Sequence, residues 1–179
     1  MKDFERCWVF QSKNSFKKLS KDDSDKDNVK FMTESTIEAV DFDEAKRRYT
    51  NALGLSYTSM ASVDALLRKD GIPVFIEFKN GKVPSAEVKT KIRDSMLLYC
   101  DVTGTRLCDA RETAEFLLVY NAGENSYWAS LLHIEDHFLK KAGKERIGFD
   151  LDRFKGLYFR DVHTYSKEEF EQFLLNYSQ

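Results

Sequence analysis

Two acidic residues and one lysine between residues 62 and 82 are of the types that bind and use a divalent cation. Asp64 lies near the start of this segment, and Glu77 and Lys79 lie near its end. Hard cations such as Mg²⁺ prefer carboxylate and carbonyl oxygens as ligands. A lysine beside the cation can orient or help deprotonate a water and stabilise developing negative charge. The three residues therefore indicate metal-assisted hydrolysis, provided that the fold brings them together.

A tight turn predicts that the two acids face each other. The dipeptide Asp70-Gly71 is typical of the central residues of a primed hairpin turn, and it is flanked by apolar-patterned segments of strand length. The register that this turn sets pairs Asp64 with Glu77. Each arm of the hairpin thus carries one acid at the same level.

Because side chains alternate along a strand, the same register divides the hairpin into two faces. One face is polar away from the turn and apolar near it, so we expect it to be partly covered. The other face is apolar throughout, so we expect it to contact a core. The polar face carries Ser62, Asp64, Glu77 and Lys79, with Leu66 and Phe75 close to the turn. The apolar face carries Val63, Ala65, Leu67, Val74, Ile76 and Phe78.

Two carboxylates opposite each other need compensation. Their repulsion costs about 0.2–1 kcal/mol across a strand pair, and more where water is excluded. Lys79 alone can supply the compensation in a structural charge cluster, which is an ordinary feature of a solvated strand face. Alternatively, two acids about 5 Å apart across strands can bind one divalent cation. The residues by themselves leave both interpretations open.

The elements on either side of the hairpin are predicted to be helices. The segment VDFDEAKRRYTNALG predicts a helix that begins at the N-cap Asp41, with Glu44 completing a capping box, and that ends at Gly54. The segment VPSAEVKTKIRDSMLLYCDVTG predicts a second helix, from a Ser85 cap to Gly104. Helices that flank strands on both sides are typical of an α/β fold.

The rest of the chain adds strands and one more helix. The apolar run EFLLVYN (115–121) predicts a strand, and the polar tract KLSKDDSDKDN (18–28) predicts a solvated loop. The last third predicts a strand running into a helix (126–143), a strand (156–165) and a helix (166–177) with Ser166 and Glu169 as a capping box.

The acids and the lysine resemble the signature of a known superfamily. Asp64, separated by residues 65–76 from Glu77-Phe78-Lys79, is similar to the D-x(n)-E-x-K motif of the PD-(D/E)XK nucleases, also called the restriction-endonuclease-like fold. The resemblance implies a core of helix, three-strand meander, helix and strand over residues 41–121. The sheet would be mixed with helices on both faces, and residues 122–179 would be a C-terminal elaboration.

The resemblance also implies a chemistry for the site. Asp64 and Glu77 would ligate Mg²⁺ or Mn²⁺ together with the backbone carbonyl of Phe78, and Lys79 would be the catalytic lysine. The expected activity is hydrolysis of DNA phosphodiester bonds.

Three features of the superfamily map less directly onto this chain. The residue before Asp64 is Val63, where the motif has proline. The first meander strand has to come from LSYTSM (55–60). Many members also use an acid on the first helix, for which the candidates are Glu38 and Glu44.

Length and composition set the broad class of protein. A chain of 179 residues with 42% hydrophobic residues predicts one folded domain, 1–179. A net charge of −2 predicts no general attraction to nucleic acids or membranes, so any phosphate-binding surface has to be local. We expect a reduced, cytoplasmic protein with no membrane partner, because there is no CxxC motif and no apolar run of membrane-spanning length. Local positive charge follows the motif at Lys82, Lys89, Lys91 and Arg93, for which an ordinary solvated helix face is favoured over a role in binding nucleic-acid phosphates.

Other residues that could do chemistry have simpler interpretations. His133 and His137 have zinc-ligand spacing on a helix but no third ligand, so a surface pair is favoured. The remaining candidates favour packing, turn or cap roles: His163, Cys100, Cys108, Asp150 and Asp152.

Two alternatives to a nuclease remain open at this level. The same scaffold can serve as a catalytically inactive interaction or accessory module in which Asp64, Glu77 and Lys79 form a salt-bridged patch. The chain can also be a metal-binding domain of unrelated fold.

Overall fold

One mixed six-stranded sheet organises the protein. The computed structural model describes residues 4–22, 29–131 and 147–177. The sheet order is β1-β4-β5-β6-β7-β8, and β2 pairs with β3 in a separate ribbon. The strands are β1 (Lys13–Ser15), β2 (Lys21–Asp22), β3 (Lys30–Phe31), β4 (Glu38–Asp41), β5 (Ala65–Lys69), β6 (Ile72–Lys79), β7 (Glu115–Tyr120) and β8 (Asp161–Ser166).

Helices connect and cover these strands. They are α1 (Phe16–Leu19), α2 (Phe42–Ala52), α3 (Ser85–Thr103), α4 (Leu107–Thr113) and α5 (Lys167–Tyr177). Residues 126–131 are also helical. Short 3₁₀ turns occur at Phe4–Arg6, Trp8–Gln11, Tyr57–Ser59 and Asp152–Phe154. Among the described helices, none has both the length and the apolar character needed to cross a membrane.

The sheet changes from antiparallel to parallel at β6. Strands β1, β4, β5 and β6 are paired antiparallel with one another in that order. Strand β7 runs parallel to β6, and β8 runs parallel to β7. Parallel neighbours require crossovers, which here contain α3 and α4 between β6 and β7. The predicted α/β class with a mixed sheet is confirmed.

Two hydrophobic cores lie on opposite faces of the sheet. Leu66 and Phe75 belong to the core under α2 and α3. Leu67 and Ile76 belong to the core on the other face, with Phe170 of α5. Helices therefore cover both faces, as predicted, because the alternate side chains of β5 and β6 are apolar on both sides.

The predicted hairpin and its register are confirmed. Asp70 and Gly71 have φ values of 50° and 79°, as a primed turn requires. The register pairs Ala65 with Ile76 and Leu66 with Phe75, and this regular pairing ends before Asp64 and Glu77. Asp64 lies one residue before β5, and its N–H donates to the carbonyl of Ile76 at 3.1 Å.

Val63 departs from the predicted face of the hairpin. It packs in the core under α2 and α3, whereas Ala65 packs in the opposite core. Its N–H donates to the hydroxyl of Ser95 on α3 at 2.9 Å, before the regular alternation of β5 begins.

The prediction of a first meander strand at 55–60 is wrong. These residues contain the 3₁₀ turn Tyr57–Ser59, and the Ser56 hydroxyl accepts from the N–H of Thr58. Hydroxyl side chains of this kind compete with strand pairing by bonding the local backbone. The third antiparallel strand is instead β4, which precedes α2 and pairs directly with β5.

Other predicted elements differ from the structure in their bounds or in their type. Helix α3 begins at Ser85 with Pro84 at the N-cap position, so the predicted Ser85 cap is wrong, and the Ser85 hydroxyl donates to the carbonyl of Phe149. Residues 126–131 are helical where a strand was predicted, and residues 132–143 of that segment lie outside the described part of the chain. The strand predicted from 156 begins at Asp161, after a turn with Gly156 at φ 73°. Residues 18–22 of the predicted loop belong to α1 and β2 and the turn between them.

Of the two predicted capping boxes, one forms both of its hydrogen bonds and the other forms only one. Ser166 and Glu169 exchange both hydrogen bonds of a capping box at the start of α5. Asp41 accepts from the N–H of Glu44, but the Glu44 carboxylate is held by arginines of its own helix.

The turn glycine provides a test of the hairpin. We expect Gly71→Ala to lower the free energy of unfolding by about 1–2 kcal/mol, because an L side chain is strained in the left-handed region. Gly81→Ala is the control, since an added Cβ there meets nothing within 4 Å and the backbone is not left-handed. Urea unfolding of both variants measures the effect, and equal stabilities would contradict this account of the turn.

Candidate functional site

The hairpin brings Asp64 and Glu77 to a shared ammonium group. The Nζ atom of Lys91, on α3, lies 2.7 Å from Oε1 of Glu77 and 3.6 Å from Oδ1 of Asp64. Both acids lie on the sheet face that α3 covers, because both contact Lys91 of that helix. The two carboxylates converge on one position, which the ammonium group of Lys91 occupies.

The second oxygen of Asp64 is fixed by the neighbouring strand. Oδ2 of Asp64 accepts from the backbone N–H of Phe78 at 2.6 Å. The Phe78 side chain points to the opposite core, where its ring packs edge-on against Phe16 and Phe170. Asp64 is therefore oriented by a strand that both cores hold. The role of the Phe78 carbonyl as a ligand stays a prediction.

Glu77 is buried with one oxygen unsatisfied. Its side chain has 0% exposure, and among the described residues its Oε2 atom has no hydrogen-bond partner. Such an atom costs about 1–3 kcal/mol and calls for a water or an ion in a native structure. The unsatisfied oxygen is the feature of this site that points to a bound ligand.

Burial and mutual repulsion set the protonation of the acids. Burial raises the pKa of Glu77 to about 8, and the charge of Asp64 adds to this effect against the opposing Lys91 and Lys79. Burial also raises the pKa of Asp64, against the opposing charge of Lys91. Burial lowers the pKa of Lys91, but the two carboxylates outweigh it and the pKa is raised.

Lys79 connects the buried acid to the protein surface. Its Nζ atom lies 3.2 Å from Oε1 of Glu77 and 2.7 Å from Oε1 of Glu87 on α3. The hydrogen bond from Lys79 lowers the pKa of Glu87. Lys79 thus stands beside Glu77, where the sequence motif expects it, while a surface carboxylate holds its position.

The two predicted acids from the first helix region lie elsewhere. Glu38 is an exposed residue of β4, and the register places it beside Ser15. Glu44 is held by Arg47 at 2.6 Å and by Arg48 at 3.1 Å.

Asp43 is the acidic residue of α2 whose charge acts on Asp64. Its charge contributes to raising the pKa of Asp64. Its Oδ1 atom accepts from the Ser62 hydroxyl at 2.5 Å and lies 3.3 Å from Nζ of Lys46. Consecutive helix residues point about 100° apart, so only the packing of α2 on the sheet selects Asp43 over Glu44.

Sequence reasoning placed Lys91 on a helix surface and missed its contact with the acids. The helical spacing contains a signal for this contact, because Lys91 stands between Val88 and Ile92 at the margin of the buried stripe of α3. Its side chain is 19% exposed, so the margin faces the sheet and not the solvent.

A pocket of about 310 Å³ opens beside these residues. Asp64, Phe78, Lys79 and Lys91 form one side of its lining. Another part of the lining comes from residues 19–22 at the end of α1 and in β2, which Asn80 joins to β6 through a hydrogen bond to Asp22. Lys21 and Asp22 are also part of the lining, so the pocket is lined by three lysines and two aspartates, with Lys79 and Lys91 ion-paired to acids of the site.

The site offers few oxygen ligands, but those it has are compatible with a hard divalent cation. Among residues 4–22, 29–131 and 147–177, no group of three or more His, Cys, Asp or Glu side chains is arranged to hold a metal ion. Mg²⁺ is commonly bound through one or two carboxylates while it keeps several waters. Asp64, Glu77 with its unsatisfied Oε2, and the Phe78 carbonyl fit that requirement if Lys91 gives way.

The other candidate residues lie away from this site or outside the described chain. His133 and His137 fall in the segment that the structure does not describe. His163, on the edge strand β8, lies near Glu115 with 3.9 Å between Nε2 and Oε2. The remaining candidates have structural settings: Cys100 packs against a core, Cys108 is exposed, Asp150 lies in a left-handed turn and Asp152 begins a 3₁₀ turn.

Comparisons with known proteins add no relative to this geometry. Family models, curated proteins and solved structures were compared with the chain, and none of the three comparisons gives a match. The described chain is an α/β protein with a mixed six-stranded sheet, which carries an acid and lysine cluster beside a pocket.

The raised pKa of Glu77 predicts a pH dependence of stability. In EDTA, we expect the free energy of unfolding to fall as the pH rises from about 5 to about 8, because unfolded Glu77 ionises near 4.5 and the buried residue near 8. Glu77→Gln removes this contribution, so the variant should gain on the wild type by at most about 1.4 kcal/mol per pH unit. Urea unfolding at several pH values measures the gain. Glu112→Gln, an exposed control, should follow the wild type, and a parallel course for Glu77→Gln would contradict the assignment.

Proposed function

We propose that the protein is a Mg²⁺- or Mn²⁺-dependent nuclease of the PD-(D/E)XK superfamily that hydrolyses DNA phosphodiester bonds. One observation carries the proposal: Asp64 and Glu77 converge on a single cation position, with Lys79 beside Glu77. The position opens to a pocket whose lining includes Lys21, Lys79 and Lys91 beside Asp22 and Asp64.

The order of the elements supports the family assignment. A helix, an antiparallel hairpin, two helices and a strand parallel to the second arm of the hairpin follow one another as α2, β5, β6, α3, α4 and β7. The acids stand on the hairpin, with Glu77 within β6 and Asp64 just before β5. The chain departs from the superfamily core at β4. This third antiparallel strand precedes α2 in the chain, whereas the three-strand meander of the superfamily follows its first helix.

Each residue of the cluster has a role in such a reaction. Asp64 and Glu77, with the Phe78 carbonyl, would hold the divalent cation. A bound cation supplies charge neutralisation at the phosphate and a more acidic water. Lys79 positions the nucleophilic water and stabilises negative charge, and Glu87 keeps its ammonium close to Glu77. Lys21 adds positive charge on another part of the pocket lining, where a substrate phosphate can bind.

A catalytically inactive interaction or accessory module is the second candidate. It is favoured by the contacts that the acids already make, since Lys79 and Lys91 neutralise Glu77 and the Phe78 N–H satisfies Oδ2 of Asp64. On this account the cluster serves only to stabilise the hairpin against α3. The two candidates differ in whether the site ever admits a divalent cation.

Cleavage of DNA tests the proposed function. The purified protein is incubated with supercoiled, linear and branched DNA in Mg²⁺, Mn²⁺ or EDTA. We expect cleavage only with a divalent cation, and a loss of about a hundredfold or more in Glu77→Ala and in Lys79→Ala, as for removal of a group that stabilises the transition state.

The controls separate catalysis from folding. Glu112→Ala and Lys155→Ala change charge at exposed positions away from the cluster and should retain wild-type cleavage. Cleavage that survives both site substitutions would show that another site or a contaminant is responsible. A folded protein that cleaves none of the substrates with either cation supports the inactive module.

A further inference from the structure

We propose that Lys91 is an internal counter-ion that occupies the cation position between Asp64 and Glu77 and leaves it when a divalent cation binds. This inference rests on the metal site of the proposed function and adds a positioning residue to it. Lys91 comes from α3, not from the hairpin that carries the acids.

The geometry places the ammonium group where a bridging cation has to be. Nζ of Lys91 lies 2.7 Å from Oε1 of Glu77 and 3.6 Å from Oδ1 of Asp64. These are the carboxylate oxygens that both acids direct to the same point. A divalent cation bridging them would lie against the ammonium, and two like charges at contact distance repel strongly where water is excluded.

Lys79 does not have this position. It lies 3.2 Å from Glu77 and bonds Glu87 at 2.7 Å, so it spans from the buried acid to the surface. Lys91 contacts both hairpin acids. Displacement therefore concerns Lys91, and Lys79 can stay beside Glu77.

The adjacent pocket provides space for the displaced side chain of Lys91. Its side chain lines the pocket and is 19% exposed, and a lysine has a flexible four-carbon stem. The negative charge of Asp43 also acts on its ammonium. Because Lys91 belongs to a different element from the acids, a change of its rotamer leaves the hairpin register intact.

The counter-ion also explains how the site is stable without metal. A buried carboxylate without a partner strongly destabilises a protein, and Lys91 compensates Glu77 directly. The compensation reaches only Oε1, because Oε2 of Glu77 has no partner among the described residues. A cation that binds both acids would satisfy this oxygen as well.

Mn²⁺ binding to charge variants of the full chain tests the inference. Binding of Mn²⁺ alone is measured by calorimetry, and thermal unfolding is followed in EDTA and in Mn²⁺. We expect Lys91→Met to bind Mn²⁺ at least about tenfold more tightly than the wild type, because a competing cation has been removed. The same variant should be less stable in EDTA and should gain more in melting temperature from Mn²⁺.

Two further variants separate charge from packing. Lys91→Arg keeps the cation and should bind Mn²⁺ no more tightly than the wild type. The double variant Glu77→Gln with Lys91→Met removes both charges, so it should regain stability in EDTA and lose Mn²⁺ binding.

Either of two outcomes would overturn the inference. They are a folded Lys91→Met that binds Mn²⁺ with unchanged or lower affinity, and a Lys91→Met that fails to fold and is not restored by Mn²⁺ while the double variant folds. The result is separable from the proposed function. Wild-type cleavage with no tighter binding in Lys91→Met rejects the counter-ion alone, whereas tighter binding with no cleavage by the wild type rejects the nuclease alone.

Discussion

A fully buried carboxylate is the constraint around which this protein is arranged. Glu77 lies in the second half of β6, which has β5 on one side and β7 on the other. A charge in this position is tolerated only when other groups compensate it. Compensation comes from one lysine on the same strand, Lys79, and one on the covering helix, Lys91. The contact between α3 and the sheet is thus both a packing contact and an electrostatic one.

The position of Glu77 depends in turn on the hydrophobic cores. Phe75 packs under α3 on one face, and Ile76 and Phe78 pack on the other. A shift of β6 by one residue would exchange the two sets, which would disrupt the packing of both cores and send Glu77 into the opposite core. The turn at Asp70 and Gly71 adds a local restraint to the same register. The packing energy of the sheet thereby orients a site whose own charges oppose its formation.

The charges around Glu77 form a continuous network with a functional consequence. Lys79 extends it to Glu87, and Lys91 extends it to Asp64 and towards Asp43. Such a network stabilises the site in the absence of ligand, yet every contact in it is made by a long side chain that can rearrange. The arrangement therefore unites the features that favour a nuclease with those that favour an inactive module. The difference between them is whether Lys91 is a permanent partner of the acids or an exchangeable one.

The sequence by itself determined the parts of this site that depend on local geometry. The Asp-Gly turn and strand alternation predicted that Asp64 and Glu77 face each other, and caps and helical periodicity predicted α2, α3 and α5, because these signals act over a few residues. Only the tertiary structure decided that β4 completes the antiparallel group, that Asp43 and not Glu44 is directed to the site, and that Lys91 lies between the acids. These features depend on how helices dock against the sheet. The way a helix docks depends on many contacts between residues that are far apart in the sequence. No short stretch of sequence therefore determines whether a residue at the edge of the apolar face of a helix becomes buried.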